Sequence, residues 1–264
     1  MRRLSRMTAR MVARTMAGAA TAVALVTTTL PAQAFDFTEM TKVERAAFGA
    51  EIRSYLLENP ELILEAVSLL EQRQQADEAT RDEAMVAANL EELHNDGYSW
   101  VGGNPDGDIT LVEFMDYRCG YCRKAAPEVA KLLAADGNIR LIVKEFPILG
   151  EASVLASRFA VATRQLAGGD AYYQVHDALV ALSGEPNEVT LRRLAEGLSL
   201  DADAILAQMD TEAVTEELRR TRALAQNMAI SGTPTFVLGD QLLRGYLPAD
   251  QLKALVDEQR AENS

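Results

Sequence analysis

Cysteine is almost absent from this 264-residue chain: Cys119 and Cys122 are its only two, and both sit in the stretch RCGYCRK. With no third cysteine there is no disulfide framework to staple the fold, and the pair can only bond to each other or to another molecule. Histidine is equally scarce, His94 and His176 alone. Both read as surface or helix-capping residues, so zinc lacks two further ligands at suitable spacing. Basic residues are outnumbered 26 to 39, for a formal net charge of −13. Such a surface repels phosphate backbones and anionic lipid, which argues against nucleic-acid binding. Beyond the first 34 residues no apolar run is long enough to cross a bilayer, so no stable membrane insertion is expected.

The first 34 residues have a layout of their own. Five arginines (Arg2, Arg3, Arg6, Arg10, Arg14) precede the apolar run AGAATAVALVTTTL, then Pro31 and Ala32-Gln33-Ala34, and the first acid is Asp36. This is the pattern of a secretory signal peptide, residues 1–34, cleaved after Ala34. The Arg2-Arg3 pair hints at twin-arginine export, but the motif around it is poor. Cleavage would leave 21 basic residues against 39 acids in an oxidising compartment where cysteine pairs persist as disulfides. The remainder is long enough for one full core and a smaller module.

Residues 41–95 have helical periodicity, broken at Asn59-Pro60, where Asn59 is the expected N-cap and Pro60 the first helical residue. Phe48, Ile52, Tyr55 and Leu56 share one face before the break. Leu62, Ala66 and Leu69, with Ile63, Val67 and Leu70 beside them, form two stripes after it. Faces this broad on short helices need the main domain or further copies of themselves. In QRQQADEATRDE, residues 72–83, alanine is the only apolar type, as in a helix bridging solvent between modules. From residue 109 the period changes: ITLVEFMDY reads as a strand, RKAAPEVAKLLAADG as a helix and NIRLIVKEFP as a second strand. Residues 150–229 return to helical periodicity, and TPTFVLGDQLLRG reads as two strands around a Gly-Asp turn before a C-terminal helix from about Pro248. The expected fold is therefore an α/β sheet interrupted by a helical insertion.

Cys-x-x-Cys where a strand passes into a helix has a chemical use. Unpaired N–H groups and the helix dipole favour a thiolate at the first cysteine, and the second lies one turn in, within reach of a mixed disulfide. Cys119 is the candidate nucleophile and Cys122 the resolving thiol. A disulfide closing so short a loop would stabilise little, which favours redox work over a structural role. Glu113 shares strand parity with Ile109, Leu111 and Met115, so it should point into a buried face, where burial disfavours its charge and suits it to relay the proton of Cys122. Lys144 in the neighbouring strand is a candidate partner for it. In SGTPTF, Thr233-Pro234 is compatible with a cis bond exposing backbone groups to an extended substrate.

FMDYRCGYC, KEFPILG, the helical insertion and SGTPTF together resemble the DsbA-like branch of the thioredoxin fold over roughly residues 98–262. The resemblance implies that Cys119 attacks, that Glu113 lies beneath the active site, and that Thr233 beside Pro234 contacts substrate. The dipeptide Gly120-Tyr121, where strongly oxidising members have Pro-His, together with Thr233, is similar to the disulfide isomerase DsbC, and losing a histidine should make the disulfide less oxidising. FTEMTKVERAAFGAEIRSYLLENPELILEAV resembles the N-terminal segment of the ScsC, or suppressor-of-copper-sensitivity, proteins, in some of which it is a trimerising stalk. The implied plan is a signal peptide at 1–34, a helical oligomerisation module at 35–71, a helical linker at 72–97 and a DsbA-like thioredoxin domain at 98–264 with its insertion at about 150–229. The implied function is a periplasmic protein disulfide isomerase working as a homo-oligomer, a trimer, whose catalytic domains face one space and so raise effective concentration. It would act on misfolded or misoxidised secreted proteins, be kept reduced by a membrane thiol reductase, and need no cofactor beyond its redox-active disulfide. The alternatives are a monomeric dithiol oxidase or reductase of the same fold, or a copper-tolerance protein binding Cu(I) through Cys119 and Cys122.

Overall fold

The change of period at residue 109 marks the central strand of a five-stranded sheet. The computed structural model describes residues 39–262, so the expected signal peptide lies outside the described residues. The chain divides into two units, residues 1–63 and 64–264. In the first, α1 (Lys42–Glu58) opens with a capping box: the Thr41 hydroxyl accepts from the Glu44 amide at 3.3 Å, and the Glu44 carboxylate accepts from the Thr41 amide at 2.8 Å. None of its residues is buried, and Ile52 and Tyr55 are exposed. Asn59 does not cap the following helix as expected; its side-chain amide donates to the Tyr55 carbonyl at 2.8 Å and closes α1 instead. The helix that follows, α2 (Glu61–Ala88), runs unbroken through the module boundary expected at 71/72.

Within the second unit the sheet order is β1-β3-β2-β4-β5, where β1 is Trp100–Gly103, β2 Ile109–Met115, β3 Ile139–Glu145, β4 Thr235–Leu238 and β5 Gln241–Arg244. Parallel β2 and β3 are joined through α4 (Gly120–Asp136), and the other neighbouring pairs are antiparallel. The period-2 alternation sorts the side chains of β2 and β3 cleanly. Ile109, Leu111, Met115, Leu141 and Val143 pack beneath α4 and α9 (Ala249–Glu262), whereas Val112, Phe114 and Ile142 face Val86 of α2, Leu93 of α3 (Leu90–His94) and Leu224 of α8 (Glu212–Asn227). The end of α2 is thus part of the second face's core.

The insertion comprises α5 (Glu151–Ala181), α6 (Glu188–Gly197), α7 (Ala202–Met209) and α8. The expected break at AGGDAYY is a kink within α5 at Gly168, whose φ of 86° is open to glycine at no steric cost. Beyond the kink the Gly169 carbonyl accepts from Trp100 Nε1 at 3.0 Å. Strand β1 was not expected, because WVGG carries two glycines. A Cβ at Gly102 would lie 1.9 Å from the Trp100 ring, so the glycine leaves that indole its place. The polar stretch 72–83 belongs to α2 and does more than bridge solvent: Asp82 is buried and accepts from the Arg244 guanidinium of β5 at 2.5 and 2.8 Å. Among the described residues no helix is long and apolar enough to cross a membrane.

Candidate active site

Strand β2 ends at Met115, and the chain turns through Asp116-Tyr117-Arg118 into α4, with Cys119 as the N-cap residue. The two cysteines are free thiols; Cys119 is 8% exposed and Cys122, one turn inside the helix, is fully buried. Burial pushes the Cys122 thiol well above the ordinary range, Asp116 and Thr233 contacts opposing the shift. Residues 231–235 lie opposite. Thr233-Pro234 is cis, and Cys119 Sγ donates to the Thr233 carbonyl at 3.1 Å. Of the intervening dipeptide, Tyr121 is 64% exposed and a Cβ at Gly120 would meet open space. The structure therefore brings Cys119, Cys122, Thr233 and Pro234 together, with Gly120 and Tyr121 on the outward side.

Glu113 lies in the middle of β2, opposite Val143 of β3 and Phe236 of β4, and is buried. Desolvation first, and the like charge of Glu145 second, push its carboxyl up to about 8. Lys144 does not pair with it. In the parallel register Lys144 stands opposite Phe114 and so points to the other face, where its ammonium donates to Asp96 at 2.5 Å and to the Glu92 carbonyl at 2.7 Å. His176 is a second correction. It is buried rather than superficial, 3.2 Å from the Tyr117 hydroxyl through Nδ1, and burial pushes it down to about 4. His94 is half-buried at the end of α3, close to its expected place. A cavity of about 250 Å³ between α4 and the second half of α5 is lined by Glu113, His176, Trp100, Tyr173 and Asp177, among others.

Several residues that build the site escaped the sequence reading. Asp116, fully buried, accepts from the amides of Arg118 at 2.7 Å, Ile148 at 2.8 Å and Leu149 at 3.1 Å, which ties the cysteine turn to the loop after β3. Arg118 donates to the Gly184 carbonyl at 2.8 Å, and Arg123 donates to the carbonyls of Val180 at 2.8 Å and Leu182 at 2.5 Å. The cations flanking the cysteines thus hold the end of α5. Glu145 accepts from the hydroxyls of Tyr117 at 2.7 Å and Tyr172 at 2.6 Å. An aspartate two residues before a turn amide is a local signal for Asp116; nothing local marks Glu145. Among the described residues no group of three or more His, Cys, Asp or Glu side chains could hold a metal ion, so Cu(I) would have the two thiols alone.

A buried dithiol at the start of a helix that follows a central strand, facing a cis-proline loop, is the arrangement of the thioredoxin-fold oxidoreductases. Residues 110–257 match the DSBA-like thioredoxin domain, and the chain belongs to that family. Residues 44–77 match the copper resistance protein ScsC N-terminal domain, so a thioredoxin fold with an inserted helical region follows an N-terminal helical domain of the ScsC kind. Among solved structures, BcfH of Salmonella enterica Typhimurium is 30% identical over 82% of this chain and 96% of its own, with a TM-score of 0.69. A thioredoxin-like oxidoreductase from Silicibacter pomeroyi is 42% identical over 66% of this chain and 98% of its own, with a TM-score of 0.61. Among curated relatives, the Na(+)/H(+) antiporter NhaA 3 of Salinispora tropica is 30% identical over 156 residues, 59% of this chain, and the chain spans only 24% of that antiporter's length.

Proposed function

We propose that this chain is a periplasmic thiol–disulfide oxidoreductase in which Cys119 exchanges disulfides with extended segments of secreted proteins. The observation that carries the reading is the position of Cys119: N-cap of α4, its sulfur on the Thr233 carbonyl. In the reductive direction the Cys119 thiolate attacks a client disulfide, forming one mixed S–S bond and releasing one client thiolate. Cys122 then gives its proton to the Glu113 carboxylate and attacks Cys119 Sγ. The second client thiolate leaves, and Cys119 and Cys122 end as a disulfide, two electrons having passed to the client. Run backwards, the same steps oxidise a client dithiol, with protonated Glu113 returning the proton to Cys122. Thr233 and Pro234 offer backbone to the client strand, and Gly120-Tyr121 sets the surface between the sulfurs. A periplasmic site of action is supported by likeness to a periplasmic thioredoxin-like protein from Salmonella enterica serovar Typhimurium.

Dithiol oxidase or reductase chemistry is the direction the relatives favour, through names such as oxidoreductase and thiol-disulfide exchange protein. Isomerase activity is the second reading, favoured by the exposed apolar residues of the N-terminal helices, including Ile52, Tyr55, Ile63 and Val67, which suit assembly of several copies. In that reading residues 35–71 assemble the molecule, 72–97 connect, 98–264 catalyse, and a membrane thiol reductase keeps the cysteines reduced. Copper tolerance rests on the name of the matching N-terminal domain. The test pairs reduction of insulin with refolding of scrambled ribonuclease, using wild type, Cys119→Ser and Cys122→Ala. Activity in wild type, its loss in Cys119→Ser, and a trapped Cys119–client adduct in Cys122→Ala are expected. Wild-type activity that survives Cys119→Ser would overturn the proposal.

A further inference from the structure

Glu113 is not the only carboxyl buried under the cysteines. In the parallel register of β2 and β3, Glu113 stands opposite Val143, and Met115 opposite Glu145. Period-2 alternation therefore puts Glu113 and Glu145 on the same face, two residues apart along the strands. Both are buried, at 4% and 5% exposure. The nearest lysine in sequence, Lys144, is turned to the opposite face and paired with Asp96, and Arg164 is paired with Glu217. What Glu145 has instead is hydroxyls: Tyr117 and Tyr172 both donate to its Oε1, and the Ser157 hydroxyl adds to their stabilisation of the carboxylate. With the Tyr117 proton on Glu145, the His176 Nδ1 contact to the Tyr117 oxygen calls for the Nδ1–H tautomer, and burial, which pushes His176 down to about 4, keeps the imidazole neutral. Phenols and a neutral imidazole stabilise a carboxylate without cancelling its charge.

We propose that Glu145 is a positioning residue for thiol exchange: a second buried carboxylate, fixed by Tyr117 and Tyr172, whose uncancelled charge tunes Glu113 as the proton partner of Cys122. This rests on the reading of Cys122 as the resolving thiol. A buried thiol holds its proton tightly, and proton transfer is most efficient when the two partners hold it about equally. The like charge of Glu145 raises Glu113 toward the thiol, beyond what burial does alone. The titratable groups around the pair are Cys119 and Cys122 on the α4 side, Tyr172 and His176 on α5, Tyr117 in the cysteine turn, and Glu217 on α8; burial pushes Glu145 up to about 7, with the Tyr172 and Tyr117 hydroxyls opposing the shift and Glu217 adding to it, so Glu145 is charged where Glu113 titrates.

The test uses the reduced full-length protein, as wild type, Glu145→Gln and Tyr172→Phe. Carbon-13 NMR follows the Glu113 carboxyl, assigned by its loss in Glu113→Gln. Stopped flow follows reaction with 5,5′-dithiobis(2-nitrobenzoate), in which release of the second nitrothiobenzoate reports attack of Cys122 on the mixed disulfide at Cys119. Glu145→Gln should move the Glu113 midpoint down by about one pH unit, the size expected for a like charge on a diagonal neighbour, roughly 7–8 Å away, in a partly dry interior. The acid limb of the second release should move with it. Tyr172→Phe weakens the hold on the Glu145 charge and should shift both readouts in the same direction, which keeps the test open if Glu145→Gln fails to fold. Unchanged midpoints and limbs in a wild type that does release the second thiolate would overturn the role of Glu145 and leave the exchange reading intact. A wild type that never releases it would overturn the exchange reading, and this inference with it.

Discussion

Asp116 carries much of the local precision at the cysteines. Its carboxylate receives three backbone amides from two separate loops, and no other side chain supplies those acceptors. Asp116→Ala should therefore destabilise the domain by about 2–4 kcal/mol, since each amide loses a charged acceptor. A urea unfolding midpoint checks this, and a loss under about 0.5 kcal/mol would mean that water replaces the carboxylate. Glu113 makes a prediction of opposite character. Burial, with the Glu145 charge second, pushes it from an ordinary glutamate's 4.5 up to about 8 in the folded protein, so between those values the folded protein holds more protons than the unfolded chain. Stability then falls as pH rises through that window. Glu113→Gln should abolish this slope, giving a variant more stable than wild type at pH 8, by on the order of a few kcal/mol, and nearly equal to it at pH 4. His176 has the reverse sign: its depressed value makes stability fall as pH drops from 6.5 toward about 4. Glu113 was legible in the sequence because strand alternation among Ile109, Leu111 and Met115 forces its direction. Glu145 obeys the same alternation, but its meaning comes from Tyr172, which only the folding of α5 onto the sheet brings near. Lys144 shows where the pattern was misread, since adjacency in sequence to Glu145 placed it on the wrong face for Glu113.

At the scale of elements, the β-α-β unit, the two closing strands and the helical insertion were readable because each has a clear period and clear punctuation. Strand β1 was not, because its glycines make room for Trp100 and dilute the strand signal. The stretch 72–83 misled for a different reason. Its docking is ionic: Asp82 meets Arg244 of β5 with two hydrogen bonds, and Glu78 adds a longer contact at 3.5 Å. A polar helix that docks through one buried carboxylate looks like a solvent bridge when its partner lies 162 residues away. Arg244 also stands opposite Thr235 in the β4–β5 ladder, next to the Thr233-Pro234 loop. Arg244→Ala removes the guanidinium from a buried Asp82; with Arg244 itself 39% exposed, the loss is about 1–2 kcal/mol. The expected outcome is faster amide hydrogen exchange over residues 75–88 with little change in β2 and β3. Uniform loss of protection across the sheet would show instead that the pair stabilises the whole domain rather than the docking of α2.

For the whole molecule, the distribution of burial is the useful quantity. Val86 and Leu93 lie in the core beneath the sheet, whereas Ile63, Leu64, Val67, Leu69 and Leu70, earlier on the same helical stretch, are each 46–72% exposed. An apolar surface of this kind left in water is costly, at roughly 25 cal/mol per Å², and assembly of further copies would cover it. The ScsC-like N-terminal match covers residues 44–77, the same segment. The exposed apolar faces were legible in the sequence, as broad helical stripes; that further copies cover them is the proposal the next measurement tests. Light scattering on the chain from residue 35 onward should give a mass of several protomers. Truncation should begin after Leu70, because a cut at residue 83 would also remove Asp82 and confuse loss of assembly with loss of docking. The chain from residue 71 should be monomeric, should keep its rate of insulin reduction within about twofold, since the groups proposed to react all lie beyond residue 112, and should lose any capacity to unscramble ribonuclease. Unscrambling by the monomer at the full rate would detach the N-terminal helices from isomerisation, and a truncated chain that stayed oligomeric would place the assembly surface in the catalytic domain.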